Sequence, residues 1–377
     1  MEGFELRNKN ILLVSPQKWG EMHVSKHHYA IELASRGNIV YFVNPPNNGS
    51  QEIKIETNPH FNNLHIVSYG FAFLNQLKFR WPSMYGKKIK QNLTKIIASI
   101  NNGIDILWTF DLRIGKMLLT NDSYIKIAHP VDFTKAHEII NAKGSSVLIS
   151  VAQGILDEFK GINVPKEFIN HGITDSFIDN FAIDNYTKNE KLKFGYIGNL
   201  LRFDIDHQLI LELIGANSDV DFIFYGNFGV SNISGSFTDS SKKFIHALQG
   251  SKNVELKGVY KSGLLAQEMN SFDGFFMCYD KEKDVCRGTN YHKVMEYLST
   301  GRVVISNFVE TYHGLNLVQM PEKNENNSEL LNIFKDVISN IDQYNAIDQF
   351  ERRQKYAKNN SYIKQVNRIE RVLQNIS

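Results

Sequence analysis

Residues 10–46 read NILLVSPQKWGEMHVSKHHYAIELASRGNIVYFVNPP, and this stretch decides the fold class. Its apolar run at 10–15 is typical of a buried strand, and the amphipathic pattern over 23–36 predicts a helix that ends at Gly37. The apolar run at 39–43 predicts a second strand, closed by a turn of asparagine and two prolines. A strand, a helix and a strand in this order make a βαβ unit, whose two strands pair in parallel.

The same alternation continues along the chain and is interrupted once, by a polar stretch at 179–191. Before this stretch, further strands are expected at 64–68, 105–109, 124–128 and 147–151. After it, the expected strands are 192–197, 220–225, 254–256, 274–277 and 303–306. The expected helices are 206–214, 242–249, 263–270, 291–300 and two more that begin near residues 345 and 362.

The predicted fold is therefore α/β, with two Rossmann-like, doubly wound domains that face a central cleft. We expect domains at 1–185 and 186–355, and a C-terminal helix at 356–377 that packs back on the first domain. The carboxyl ends of the strands, where such folds bind ligands, would line the cleft. Neither domain has a GxGxxG motif at its first strand, which argues against an NAD-dependent dehydrogenase.

The composition excludes several other classes of protein. The chain has 377 residues, of which 42% are hydrophobic and 22% charged, as in a protein that buries a core. Its formal net charge of +2 gives no argument for nucleic acid as a partner. Cys278 and Cys286 form no CxxC motif, so neither a disulfide framework nor a zinc site is indicated.

Targeting signals are not evident in the sequence. No apolar run approaches the roughly 20 residues of a membrane span. The N-terminal residues MEGFELRNKN carry charges of both signs and lack the apolar core of a signal peptide. We therefore expect a cytoplasmic protein.

Six segments of the chain, taken in order, carry a family resemblance. They are 26–37 (KHHYAIELASRG), 41–46 (YFVNPP), 170–173 (NHGI) followed by Phe177, 195–200 (GYIGNL), 253–259 (NVELKGV) and 293–304 (KVMEYLSTGRVV). Together they resemble GT-B glycosyltransferases of the retaining family 4 type, and more narrowly the bacterial enzymes of teichuronic-acid and capsule assembly. The chain departs from the family pattern at two places. Gly288 stands where many members have a glutamate, eight residues before Glu296, and Asp204, Asp206 and His207 stand where a Lys-Gly pair is common.

The resemblance implies a transferase that moves a hexose from a UDP- or GDP-linked sugar to a saccharide or lipid-linked saccharide. It also implies retention of configuration, no cofactor and no metal, and a place in cell-surface polysaccharide or glycolipid assembly. Two alternatives stay open. One is another GT-B enzyme, either an inverting transferase or a nucleotide-sugar epimerase, and the other is a degenerate GT-B protein that binds without catalysis.

One helix start in the second domain suits a diphosphate, because free N–H groups and the positive dipole end attract anions. Thr289, Asn290 and Tyr291 lead into this helix, and the first two are alternatively its caps. Lys293 would neutralise the leaving group in catalysis, unless it is a solvated helix lysine. Glu296 lies on the same helix face and, as the resemblance implies, would accept the ribose hydroxyls; the alternative is an ion pair with Lys293.

Five further donor-binding candidates follow strands of the second domain. Gly198 and Asn199 form a turn at which the backbone can approach a phosphate or a sugar. The alternative is that the turn has only a structural role. Arg202 offers a planar fork for phosphate oxygens, or is a surface arginine. Tyr225 and Gly258 end two more strands and would flank the base.

His129 and Asp132 are the catalytic candidates of the first domain. His129 follows the strand at 124–128, so it would lie at the mouth of the cleft and hydrogen-bond a hydroxyl of the transferred sugar. Members of the resembled family often keep a histidine after the equivalent strand. Asp132 would orient His129 or bind acceptor hydroxyls. The alternatives are a core histidine and a loop or cap aspartate.

The loop after the first strand holds the acceptor-binding candidates, since an aromatic face beside hydrogen-bond donors suits a sugar ring. They are Trp19, Gly20, His23, Lys26 and His27. The alternative for Trp19 is that it only packs the loop.

Two Asp-x-Asp triplets are of the kind that holds a cation in metal-dependent transferases of another fold. Asp219 and Asp221 lead into a strand at its amino end, away from the cleft. Asp204 and Asp206 follow the glycine turn, where we favour a helix cap over a metal site.

The segment 71–97 is the candidate membrane surface and contains no acidic residue. It combines two sets of side chains, the basic Lys78, Arg80, Lys87, Lys88, Lys90 and Lys95 and the aromatic Phe71, Phe73, Phe79, Trp81 and Tyr85. Basic and aromatic residues together are typical of a surface that contacts anionic lipid, and a solvated helix face is the alternative. No RNA-binding motif accompanies the segment, so no nucleic-acid partner is expected.

Overall fold

The computed structural model describes residues 4–20, 23–49, 52–114, 118–119, 123–182, 188–229, 238–260, 262–325 and 327–376. The chain divides into two compact units, of which the first combines 1–171 with 362–377 and the second is 172–361. Within the described residues, no helix is long and apolar enough to cross a membrane.

The elements follow the alternation expected from the sequence. The strands are β1 (Asn10–Val14), β2 (Ile39–Val43), β3 (Asn47–Asn48), β4 (Lys54–Thr57), β5 (Leu64–Ser68), β6 (Gly70–Phe71), β7 (Ile106–Thr109), β8 (Ile125–Ala128), β9 (Val147–Ser150), β10 (Lys166–Phe168), β11 (Lys193–Ile197), β12 (Asp221–Tyr225), β13 (Val254–Gly258), β14 (Gly274–Met277) and β15 (Val303–Ser306). The helices are α1 (Ser25–Ser35), α2 (Leu74–Arg80), α3 (Pro82–Ala98), α4 (Ala136–Ile139), α5 (Gln153–Asp157), α6 (Asp175–Ile178), α7 (His207–Ala216), α8 (Asp239–Gly250), α9 (Ser262–Met269), α10 (His292–Ser299), α11 (Leu330–Ser339), α12 (Ile341–Tyr344), α13 (Ile347–Lys358) and α14 (Tyr362–Ile376).

The first unit is built on an eight-stranded sheet with the strand order β10-β9-β8-β7-β1-β2-β5-β4, and β3 and β6 form a separate parallel pair. The strands pair in parallel except β4, which lies antiparallel to β5 at one edge. Side chains alternate between two apolar clusters, so that Leu12 and Leu13 belong to different ones. Burial on both faces explains why the central strands are almost entirely apolar.

The second unit is built on a five-stranded parallel sheet with the order β13-β12-β11-β14-β15. Its interior is rich in aromatic residues, among them Phe194, Phe222 and Phe276, which are at most 1% exposed. In both sheets the strand order reverses direction beside the first strand, between β1 and β7 and between β11 and β14. Such switch points are where open α/β sheets bind ligands, at the carboxyl ends of the strands.

The C-terminal helix α14 belongs to the first unit, as predicted, and packs against α1. The preceding helix α13 stays in the second unit, where Gln354 donates to the carbonyl of Phe181 at 2.7 Å. The predicted join after residue 355 falls inside α13. The predicted join after residue 185 lies outside the described residues.

Candidate functional site

The loop after β11 carries the first group of donor-binding candidates. Gly198 donates its N–H to the carbonyl of Tyr225 at 2.8 Å, and Asn199 accepts from the N–H of Leu201 at 3.1 Å. Arg202 donates to both oxygens of the buried Asp204, at 2.7 and 2.5 Å. Arg202 is therefore no isolated surface arginine, although its Nη1 makes no hydrogen bond within the described residues.

The loop after β14 lies against this first loop. The guanidinium of Arg202 sits 4.9 Å from the ring centroid of Tyr279, and that ring lies 4.9 Å from the ring of Tyr291. The N–H of Asp280 donates to the carbonyl of Asp204 at 2.8 Å. The structure thus brings Arg202 and the start of α10 together at the switch point between β11 and β14.

Asp284 organises the loop that leads into α10, and sequence reasoning missed it. Its buried carboxylate accepts from the N–H groups of Cys286 and Gly288 at 2.9 and 2.7 Å and from the Tyr291 hydroxyl at 2.5 Å. The available signal was an acidic residue placed just before a glycine turn. Gly288 has a φ of +68°, and a Cβ there would lie 2.9 Å from the Asn324 side chain. A glutamate at 288, as in many members of the resembled family, would be strained in this left-handed turn.

The start of α10 differs in one respect from the predicted arrangement. Tyr291 is the N-cap residue, and no side chain among the described residues caps the helix. The alternative that Thr289 or Asn290 caps it is therefore wrong, because Thr289 donates instead to the carbonyl of Cys286 at 2.7 Å. The first turn of α10 thus keeps backbone N–H groups directed toward its amino end.

Lys293 and Glu296 lie side by side in the first two turns of α10. Lys293 Nζ is 2.7 Å from one oxygen of Glu296, and His292 Nδ1 is 3.2 Å from the other. Burial by itself would raise the pKa of Glu296, but the Lys293 charge and the His292 hydrogen bond outweigh it and lower the pKa to about 2. Glu296 is therefore an ionised acceptor with a cation beside it. The ion pair expected as the alternative is present, and the ribose contact stays a prediction.

The remaining donor candidates occupy two neighbouring strand ends. Gly226 has a φ of +143°, and a Cβ there would come within 1.7 Å of the Gly198 carbonyl. The N–H of Gly226 donates to the carbonyl of Gly258 at 2.7 Å, so the three glycine turns are joined. Tyr225 is 2% exposed, and its hydroxyl donates to Glu268 at 2.7 Å. The Tyr225 side chain therefore has a structural role, and only the backbone of Tyr225 lies at the edge of the candidate site.

The two aspartates considered as a metal site, Asp204 and Asp206, both make hydrogen bonds to other residues of the protein. Asp204 pairs with Arg202, and Asp206 caps α7 by accepting from the N–H of Leu209 at 3.1 Å. Asp206 also accepts from the side chain of Asn327 at 3.1 Å. No cluster of three or more His, Cys, Asp or Glu side chains suited to a metal ion occurs in the described part of the chain.

His129 lies inside the first unit rather than at an exposed mouth. Its ring is 0% exposed and stacks on Phe110 at 4.6 Å, and its Nδ1 lies 3.3 Å from Nε1 of Trp108. Indole nitrogen only donates, so Nδ1 accepts and the neutral ring carries its proton on Nε2. Burial and the charge of Lys26 lower the pKa of His129 to about 3, so the ring is neutral near pH 7.

Asp132 does not orient His129. Nδ1 of His129 accepts from Trp108, and its Nε2 has no hydrogen-bond partner within the described residues. Asp132 is exposed. Lys26, in the first turn of α1, is only 5% exposed and holds its Nζ 5.9 Å from the Phe110 ring centroid. Lys26, Phe110 and His129 therefore meet at the carboxyl ends of β1, β7 and β8.

The other acceptor candidates form an aromatic cluster beside α1. Trp19 packs 4.9 Å from Phe42 and 5.0 Å from His23 and is half-buried, so its ring packs the loop and its contact with an acceptor stays a prediction. His27 is 1% exposed; its Nδ1 accepts from the Val24 N–H and its Nε2 lies 3.0 Å from the Lys18 carbonyl. His27 shapes the loop and presents no ring nitrogen to a ligand. His23 and Gly20 are exposed.

The segment 71–97 separates into a buried face and an exposed face. Phe71 and Tyr85 are 3% and 6% exposed and pack 6.0 Å apart, so their assignment to the membrane surface is wrong. The exposed apolar side chains are Phe73, Phe79, Trp81 and Met84, each at least half exposed. The basic side chains of α2 and α3 are exposed beside them, apart from the half-buried Lys90. We call these exposed residues of α2 and α3, together with Phe73 and Trp81, the basic-aromatic surface.

Comparisons with known proteins identify the fold. No family model matches the sequence. No curated protein matches it either. Among solved structures, the chain is similar to an E. coli trehalose-6-phosphate protein bound with UDP-2-fluoro glucose, with a TM-score of 0.73 and 9% identity over 98% of this chain and 99% of that one.

Two further solved structures resemble the chain over similar lengths. The sucrose-phosphate synthase of Thermosynechococcus elongatus has a TM-score of 0.71 and 9% identity, covering 98% of this chain and 99% of that one. Anabaena HepE in complex with UDP and glucose has a TM-score of 0.61 and 13% identity, covering 97% and 99%. The chain therefore has the GT-B fold, as predicted. The narrower likeness to family 4 and to teichuronic-acid enzymes stays a prediction.

Proposed function

We propose that this protein is a glycosyltransferase that moves a hexose from a UDP- or GDP-linked sugar to a saccharide or lipid-linked saccharide. One observation carries the proposal: Arg202, the start of α10, Lys293 and Glu296 converge at the switch point of the second sheet. The GT-B neighbours that hold UDP or a UDP sugar support the same class of donor.

The diphosphate would meet three sources of positive potential. The first is the set of backbone N–H groups at the start of α10, together with the helix dipole. The second is the Lys293 ammonium, and the third is the part of the Arg202 guanidinium that Asp204 leaves unpaired. These groups stabilise the negative charge that develops on the leaving phosphate as the sugar departs. They do so without a metal ion, so we expect transfer to continue in excess EDTA.

The proposed reaction retains the anomeric configuration. The bond from the sugar to the diphosphate breaks while the acceptor hydroxyl attacks on the same face, and the departing diphosphate oxygen takes the hydroxyl proton. Positioning and charge stabilisation then provide most of the rate. His129, whose Nδ1 accepts from Trp108 and whose Nε2 therefore carries the proton, is proposed to donate this N–H to an oxygen of the sugar.

Glu296→Gln should weaken nucleotide binding without unfolding the protein. The ionised Glu296 would accept both ribose hydroxyls, and losing a charged hydrogen bond costs on the order of 1.5–3 kcal/mol, roughly 10- to 150-fold in affinity. The measurement is calorimetric titration of UDP and GDP into both proteins. Glu351→Gln, at an exposed acidic residue of the same unit, is the control and should keep wild-type affinity. Equal affinities in folded wild type and Glu296→Gln would remove Glu296 from the donor site.

We further propose that the basic-aromatic surface holds the protein on the inner face of an anionic membrane. Phe79 and Trp81 are 74% and 51% exposed, far more than large aromatic side chains usually are. Lys87 and Lys88 are exposed on the next helix, and no acidic residue interrupts the segment. Aromatic side chains of this kind enter the headgroup region, and lysines attract acidic lipids. Such a location suits a lipid-linked acceptor.

Replacing Lys87, Lys88 and Lys90 by glutamine together should reduce binding to phosphatidylserine-containing vesicles at least tenfold at low salt, because each basic residue contributes about 1 kcal/mol. Vesicle sedimentation measures the effect, which should fade as salt shortens the Debye length. The control exchanges Lys242, Lys243 and Lys252, which gives the same change in net charge elsewhere. A wild-type protein that ignores these vesicles at low salt would contradict the membrane proposal.

A further inference from the structure

Lys26 is a cation whose charge has no close partner among the described residues. Its side chain is 5% exposed, yet its Nζ makes no hydrogen bond or ion pair there. Burial lowers the pKa of Lys26, and the charge of Asp132 only partly opposes this effect. Among the described residues the Lys26 ammonium thus has no acceptor, so solvent or a ligand must supply one.

His129 adds a second donor at the same place. Its Nε2 is fully buried and has no hydrogen-bond partner within the described residues. Because Nδ1 accepts from Trp108, this Nε2 carries a proton and must donate. Lys26 Nζ lies 5.9 Å from the centroid of the Phe110 ring, and the His129 ring stacks on the same ring at 4.6 Å. Two hydrogen-bond donors without an acceptor among the described residues therefore belong to side chains that lie near the same Phe110 ring.

Tyr29, one turn after Lys26 on α1, does not belong to this pair. Its hydroxyl is also buried without a partner within the described residues, but its ring packs 5.2 Å from the ring of Tyr362 on α14. The site consists of Lys26 and His129, with Phe110 as its apolar wall and the exposed Asp132 as an acidic residue whose charge raises the pKa of Lys26.

We infer that Lys26 and His129 bind an acidic group, a carboxylate or a phosphate, carried by a sugar substrate. The location supports this, because α1 follows β1, Phe110 follows β7 and His129 follows β8, at the switch point of the first sheet. An anion would accept hydrogen bonds from both donors and supply a negative charge to pair with the Lys26 ammonium. The inference rests on the proposed function and narrows it, since it names the chemical class of one substrate.

The acidic group has two conceivable sources, the sugar of the donor and the acceptor. Two sets of titrations into the full-length protein distinguish them. The donor set compares UDP-glucuronate with UDP-glucose, and the acceptor set compares glucuronate and glucose 6-phosphate with glucose in the presence of UDP. The inference predicts tighter binding of the acidic member in one set, by about tenfold, with an advantage that shrinks as salt rises.

Three variants test which residues produce this preference. Lys26→Met keeps the alkyl chain against Phe110 and removes the charge, so the preference should disappear. Asp132→Asn removes the nearby negative charge, so the preference should grow. Lys54→Met, at an exposed lysine of the same unit, should leave it unchanged. A lysine with only a structural role would not give opposite effects in the first two variants.

Thermal unfolding and nucleotide binding complete the experiment. Without ligand, Lys26→Met should melt at or above the wild-type temperature, because a mostly buried lysine that has no ion pair within the described residues is replaced by an apolar side chain. The inference is overturned if neither set shows an acid preference, or if Lys26→Met keeps it. In both cases normal UDP or GDP binding would leave the proposed function standing. Absence of any nucleotide binding would overturn the proposed function, and this inference with it.

Discussion

Lys293→Met should lower the rate of sugar transfer by roughly 10²- to 10³-fold, the scale of losing one group that stabilises developing negative charge. Lys293 lies in the first turn of α10, where its ammonium is 2.7 Å from Glu296 and one turn from the segment expected to hold the diphosphate. The charge on the leaving phosphate grows as the sugar departs, so the loss should appear mainly in kcat. Initial rates at saturating donor measure it.

The stability of this variant needs a parallel measurement, because Lys293 also partners a buried carboxylate. Its removal raises the pKa of Glu296 from about 2 toward the ordinary range, since the opposing charge is gone while burial remains. Thermal unfolding therefore accompanies the kinetics. Lys293→Arg should recover part of the rate, and Lys283→Met, on the exposed neighbouring loop, should have little effect. A folded Lys293→Met enzyme with nearly wild-type kcat would exclude Lys293 from leaving-group stabilisation.

His129→Phe should reduce turnover by roughly 10²-fold or more while nucleotide affinity stays close to wild type. The phenyl ring preserves packing against Phe110 and Trp108 and removes the Nε2–H that would reach the sugar. Nucleotide binding should be spared, because the residues proposed to bind it all belong to the second unit.

The choice of phenylalanine separates chemistry from packing. His129→Ala would also open a cavity among Phe110, Trp108 and Tyr29, so its effects on rate and stability would be mixed. His129→Gln, which can place an N–H near the position of Nε2, should retain more activity than the phenylalanine variant. Near-normal turnover in His129→Phe would show that His129 is a core residue, the alternative that its full burial favours.

The fold was predictable because most strands are buried on both faces and are therefore apolar along their length. Residues 11–14 of β1 and 303–305 of β15 illustrate this, since each is a continuous apolar run. Strand β4 was not predicted: all four residues of KIET are exposed, and its place at the sheet edge comes from pairing with β5. Helix α3 had a usable signal, the spacing of Tyr85, Ile89 and Leu93, but its many lysines directed attention to its surface.

The candidate site was predictable where it depends on neighbours in sequence. Lys293 and Glu296 are three residues apart on one helix, so their pairing followed from helical spacing. Contacts between distant segments were not predictable. His129 is buried because Trp108 of strand β7 and Tyr29 of helix α1 pack around it. The Asp284 network likewise depends on Tyr291 adopting one orientation in a loop that contains a left-handed glycine.

The central claim is catalytic transfer from a nucleotide sugar, and one measurement tests it most directly. The protein is incubated in EDTA with UDP- and GDP-linked hexoses, with and without a panel of saccharide and lipid-linked acceptors, and nucleoside diphosphate and glycosylated product are quantified together. We predict that one donor is consumed and that the two products appear in equal amounts, with Lys293→Met far slower. Nucleotide binding without any donor consumption, in the presence of every acceptor and of added magnesium or manganese, would contradict the account and favour a binding protein that lacks transferase activity.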